Sequence, residues 1–90
     1  MPDAKVYVGV NAYFREDGTV LPRSVIWENG LTYEIDRVTD VRRAASVRAG
    51  GMGDRYTVWI RGRMTYLFYE RIPLHDGQEI GKWFVERKGA

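Results

Sequence analysis

The stretch Ser24-Val25-Ile26-Trp27-Glu28-Asn29-Gly30-Leu31-Thr32-Tyr33-Glu34-Ile35 decides the fold class. Asn-Gly tolerates the positive φ that a tight hairpin requires. The odd positions are apolar on both sides of it: Val25 and Trp27 before, Leu31, Tyr33 and Ile35 after. A chain reversed at Asn29-Gly30 therefore keeps one apolar face, which is the signature of two paired strands.

The same period of two extends outward. Val6, Val8, Val10, Ala12 and Phe14 alternate with Lys5, Tyr7, Gly9, Asn11 and Tyr13, and Glu16-Asp17-Gly18 supplies a second turn. A strand over residues 19–27 follows, with Pro22 marking an edge or a bulge. Tyr56, Val58 and Ile60 alternate with Arg55, Thr57 and Trp59. Met64, Tyr66 and Phe68 alternate with Thr65, Leu67 and Tyr69, and Arg61-Gly62-Arg63 connects the two runs tightly. Large apolar groups on both faces place this hairpin centrally in a sheet. Beyond Pro73-Leu74-His75-Asp76-Gly77 the sequence reads as a polar loop to Gly81, then a strand over 82–87 with Trp83 and Val85 on one face.

Residues 40–49 admit two readings. As a helix they would have Asp40 as N-cap and Gly50-Gly51 as the stop. As a strand they alternate Val41, Arg43, Ala45 and Val47 against Arg42, Ala44, Ser46 and Arg48, and the extended runs around Val38 and Tyr56 favour this reading. The expectation is an all-β chain, a small antiparallel barrel or strongly bent sheet of five or six strands, SH3-like or OB-like. An open sheet with one short helix is the alternative. The expected core is Val6, Val8, Val10, Val25, Trp27, Tyr33, Ile35, Val58, Ile60, Phe68 and Val85.

Ninety residues and 10.4 kDa make a single domain over 1–90. An apolar fraction of 44%, with 13% aromatic, excludes intrinsic disorder. No apolar run approaches the roughly 20 residues of a membrane helix. Without cysteine there is no disulfide framework, thiolate metal site or cysteine nucleophile. Asp3 stands where a signal peptide carries basic residues, and the apolar run after it breaks at Asn11. These features point to a bacterial-type cytoplasmic protein.

The stretches Trp27-Glu28-Asn29-Gly30, Tyr33-Glu34-Ile35-Asp36-Arg37-Val38 and Asp40-Val41-Arg42 resemble a family of small bacterial β-rich proteins of unknown function. Arg55-Tyr56-Thr57-Val58, Leu67-Phe68-Tyr69 and Trp83-Phe84-Val85 belong to the same pattern. The resemblance covers most of the chain and implies one compact domain. It carries no activity.

Charge is distributed unevenly. Residues 1–36 have a net charge of −3 and residues 64–90 balance, whereas residues 37–63 hold seven arginines against Asp40 and Asp54. Arginine offers a planar fork to phosphate or carboxylate and stacks on aromatic rings. With Tyr56, Trp59, Tyr66 and Tyr69 interleaved, the segment reads as a surface for weak binding of single-stranded nucleic acid or another polyanion. Its candidate residues are Arg42, Arg43, Arg48, Arg55, Arg61 and Trp59. The competing reading is that these arginines pair with Glu34, Asp36, Asp40 and Glu70. A protein partner or a homodimer is the leading expectation and polyanion binding the alternative, with Met52 and Trp59 as the partner contacts.

Catalytic and metal chemistry find little support. His75 is the sole histidine, and neither Ser24 nor Ser46 lies in a Gly-x-Ser-x-Gly elbow. His75, Asp76 and Glu79 lack the spacing of a specific metal motif. Ala49-Gly50-Gly51-Met52-Gly53 can form an anion nest between Arg48 and Arg55, but no Gly-Lys-Ser/Thr follows it. The sequence thus points to a non-enzymatic binding module with no cofactor, no metal and no membrane.

Overall fold

Three connections in this protein are copies of one turn. Glu16-Asp17-Gly18, Glu28-Asn29-Gly30 and His75-Asp76-Gly77 are each closed by a backbone bond across three residues. Arg15 N donates to Thr19 O at 2.8 Å, Trp27 N to Leu31 O at 2.9 Å, and Leu74 N to Gln78 O at 2.6 Å. The glycine in each has a φ between 84° and 89°, which a side chain would strain. The side-chain oxygens of Asp17, Asn29 and Asp76 accept the N–H groups of Thr19, Leu31 and Gln78. Arg61 and Gly62, both at positive φ, form a shorter two-residue reversal.

The computed structural model describes residues 4–45 and 52–87. Among them are seven strands: β1 (Ala4–Phe14), β2 (Val20–Ile26), β3 (Thr32–Glu34), β4 (Arg37–Ala45), β5 (Met52–Ile60), β6 (Arg63–Pro73) and β7 (Glu79–Arg87). They form one antiparallel sheet in the order β3-β2-β1-β7-β6-β5-β4, curled into a half-barrel. No helix among the described residues is long and apolar enough to cross a membrane. The helical alternative for residues 40–45 is excluded, because β4 runs through them; residues 46–49 lie outside the described residues.

Seven strands replace the expected five or six. The additional strand is β4, in the stretch that admits two readings by sequence. Ile35 N donates to Arg23 O at 2.9 Å, and Asp36 N donates to Trp59 O at 2.7 Å. At Ile35 and Asp36 the chain thus steps from β3 at one edge of the sheet to β4 at the other. The expected polar loop to Gly81 is also corrected: β7 begins at Glu79, straight after the third copy of the turn. The middle strand is β7, flanked by β1 and β6, and β5 lies between β6 and the edge strand β4.

The bulge foreseen at Pro22 has a consequence for packing. Asn11 pairs with Ser24 and Ala12 with Pro22, leaving Arg23 as the extra residue. Proline has no N–H for the ladder, so it is suited to this interruption. The bulge reverses the parity of β2: Val20 and Pro22 face inward before it, Val25 after it. Buried Ser24 is partnered by Asn11, whose Nδ2 donates to its Oγ at 2.8 Å.

Apolar groups pack on both faces. Inside the curl, Val20, Val25, Tyr56, Val58, Leu67 and Trp83 form the core, with Val8, Val10, Ile35, Ile60 and Val85 against it. Outside, Phe68 and Phe84 stack at 4.9 Å and are only 1% and 0% exposed. Phe68 therefore belongs to a second, outer layer and not to the core expected for it. Leu67 takes the inner place, since neighbours on a strand point to opposite faces. Gly81 is required by the inner layer, because a Cβ there would collide with the Tyr69 ring that packs on Trp83 at 4.7 Å.

A hydrogen bond ties the curl together. Tyr56 Oη on β5 donates to Val20 O on β2 at 2.7 Å, and both residues are buried. Burial raises the Tyr56 pKa, as does the charge of Asp54. Tyr56→Phe should cost about 1–2 kcal/mol by leaving the Val20 carbonyl unpaired. Val58→Ala, at a fully buried position, should cost about 2–4 kcal/mol. Denaturant unfolding measures both, and a Val58→Ala variant of wild-type stability would contradict the placement of the core.

Candidate binding seam and outer face

The curled sheet has two edges, and they meet only where Ile35 and Asp36 carry the chain from β3 to β4. Beyond that point β2 pairs with β3 only over Ser24, Val25 and Ile26, and β4 pairs only with β5. The outer edge of β4 and the first half of β2 therefore face each other as an open seam. Two spaces lie along it. The first, of about 340 Å³, is lined by Arg15, Leu21, Pro22, Arg23, Ile35, Asp36, Arg37 and Val38. The second, of about 430 Å³, includes Arg15, Val20, Leu21, Val41, Arg42, Arg43, Asp54, Tyr56 and Arg71.

The arginines of the central segment are split between surfaces, so the single basic face expected from sequence does not form. Arg42 and Arg55 are paired in register and share the outer face with Trp59, which is opposite Arg37. Arg43, opposite Asp54, points to the inner side at the seam mouth. Arg61 belongs to the β5–β6 turn, with its guanidinium 5.0 Å from the Tyr33 ring. Arg48 lies outside the described residues, as does the side chain of Met52.

On the outer face, cations lie over rings. Arg37 stands 4.6 Å from the centre of Trp59, and Arg55 stands 4.4 Å from that of Tyr66. Such pairs are worth about 0.5–1 kcal/mol at exposed sites. Trp59 is half-buried, in keeping with the partly exposed place its strand position suggests, and its Nε1 and the Arg55 Nε are buried without hydrogen-bond partners. Met64 and Tyr66 beside them are exposed. Ion pairing takes up part of the charge: Arg42 Nε donates to Asp40 at 2.7 Å, and Arg71 is 3.6 Å from Asp54. Arg15 and Arg71, which the sequence reading did not single out, join Arg43 at the mouth. They come from β6 and the β1–β2 turn, far from the basic segment in the chain, so no local signal marked them.

Across the middle of the sheet, Glu70 accepts hydrogen bonds from Lys5 Nζ at 2.8 Å and Tyr7 Oη at 2.9 Å. Glu70, by sequence a candidate partner for the arginines, is met instead by a lysine of β1. The bond from Lys5 holds the Glu70 carboxyl below its ordinary pKa, and the bond to Glu70 raises Lys5 and Tyr7. His75 is exposed within its turn, where the neighbouring Asp76 accepts from Gln78 N. Among the described residues no three histidine, aspartate or glutamate side chains are grouped to hold a metal ion. Inside the curl an apolar cavity of about 390 Å³ lies between Val25, Trp27, Tyr33, Leu67 and Val85. No family model, curated protein or solved structure matches the chain.

The Lys5 and Glu70 pair has a defined pH window. A depressed carboxylate pKa stabilises the fold above its unfolded value and loses that contribution as pH falls through the folded one. A raised lysine pKa stabilises below its unfolded value and loses that contribution as pH rises through the folded one. The melting-temperature gap between wild type and Glu70→Gln should therefore persist through neutral pH and close below about pH 4. A gap that stays constant down to pH 2 would contradict this role.

Proposed function

We propose that this protein is a non-enzymatic binding module that engages another polypeptide through the open edge of β4. The observation that supports this reading is the seam. Nine residues of edge strand, interrupted once between Val38 and Asp40, lie beside the first half of β2, which also lacks a strand neighbour on that side, and no helix among the described residues covers either edge. An exposed edge offers unpaired N–H and C=O groups to any extended chain, and strand addition is a common mode of peptide recognition. Self-association is the simplest version, and a different protein is the other.

Binding of single-stranded nucleic acid is the second reading, and the outer face favours it. Arg37 over Trp59 and Arg55 over Tyr66 present cation and ring together, and bases stack on such surfaces for about 1–3 kcal/mol each. Arg42 extends the same face, whereas Arg43 and Arg61 lie off it.

Two measurements separate the readings. Peptides selected on the protein from a random displayed library should slow amide exchange along residues 37–43. Binders that leave this edge unprotected and perturb Trp59 fluorescence would overturn the edge reading. A labelled oligonucleotide that binds at low salt, weakens steeply as salt rises and is lost in an Arg37→Ala/Arg55→Ala variant would favour the outer face.

A further inference from the structure

We propose that the seam between β2 and β4 takes one extended acidic segment of another protein, which closes the half-barrel as an additional strand. The inference rests on the edge-binding reading above and names the kind of partner. Its first support is the backbone. From Val38 to Arg43 on β4 and from Val20 to Pro22 on β2, each strand lacks a neighbour on the side facing the other. A strand laid between them could pair along β4 and with the backbone groups still free on β2, where the Val20 carbonyl already accepts from Tyr56 Oη and Pro22 has no N–H.

The second support is the lining. Inward along the seam lie Val20, Pro22, Val38 and Val41, and Val41 is 51% exposed despite its place beside the core. The rim carries six arginines, Arg15, Arg23, Arg37, Arg42, Arg43 and Arg71, against Asp36 and Asp54 in the same two spaces. Arg42 is met by Asp40 and Arg71 by Asp54, while Arg15 and Arg43 make no ion pair among the described residues. Successive side chains of an extended segment point to opposite faces. A segment alternating apolar and acidic residues would therefore set its apolar side chains on the valines and its carboxylates among the arginines, where paired hydrogen bonds are available. A second copy of this chain fits less well, because its own β4 would bring Arg37, Arg42 and Arg43 into a rim that is already cationic.

The test uses the full chain and three labelled heptapeptides: one alternating glutamate and valine, its lysine counterpart, and the glutamate peptide N-methylated at alternate backbone nitrogens. The glutamate peptide should bind and slow amide exchange on both edges, along 38–43 of β4 and at Val20 of β2. Arg43→Glu, an exposed substitution whose folding is checked by its melting temperature, should weaken it by about tenfold. The lysine and N-methylated peptides should not bind. Equal binding of the N-methylated peptide would show an anion site without strand addition and overturn the proposal, as would protection of β4 alone. If only the lysine peptide or a library-selected neutral peptide protects β4, the acidic partner is rejected while the edge reading stands. If no peptide slows exchange on β4, both fall.

Discussion

Two residues, Ile35 and Asp36, hold the two ends of a seven-stranded sheet together. Their successive N–H groups bond to Arg23 on one edge and Trp59 on the other. A twisted sheet can be open or curled, and this short step permits only the curled form, because no slack remains between β3 and β4. The inner core follows from it. Tyr56 reaches Val20 across the curl, and Val25, Leu67 and Trp83 come to pack on one another from strands far apart in the sheet. The open seam has the same origin: the edges touch where the chain crosses and lie apart beyond.

The distribution of arginine acquires meaning only on this frame. Alternation along β4 and β5 sends Arg42 and Arg55 outward and Arg43 inward, so residues close in sequence serve different surfaces. Several of them are engaged already, Arg42 with Asp40, Arg55 with Tyr66 and Arg37 with Trp59. The inner mouth gathers Arg43 with Arg15 and Arg71, which the fold brings from other strands. The edge-binding reading therefore draws on Arg15, Arg43 and Arg71 and the outer-face reading on Arg55, while Arg37 and Arg42 border both surfaces.

The two apolar layers explain how so small a sheet orders itself. Phe68 and Phe84 occupy the outer side of β6 and β7, and Leu67 and Trp83 the inner side of the same strands. Lys5 and Tyr7 flank the outer pair and meet on Glu70. A polar network thus borders the outer aromatic layer, while the inner layer is bounded by the curl itself.

Much of this was legible in the sequence for local reasons. Period-two alternation marked the strands, Asp-Gly and Asn-Gly marked the turns, and Pro22 marked the bulge, because each depends on residues within a few positions of one another. The choice of strand over helix at residues 40–45 was legible too, from the extended runs on either side. What sequence could not set was the inward face of Val20 and Pro22 before the bulge, the step at Ile35 and Asp36 from one edge of the sheet to the other, and the side of the sheet to which each arginine belongs. Phe68 and Leu67 are equally apolar neighbours, and Ser24 stands in a strand like any exposed serine until Asn11 meets it. Those outcomes depend on which strands become neighbours and how far the sheet curls. Long-range pairing decides that, because the hydrogen-bond ladder and the apolar faces must be satisfied together, and no local pattern encodes the partner.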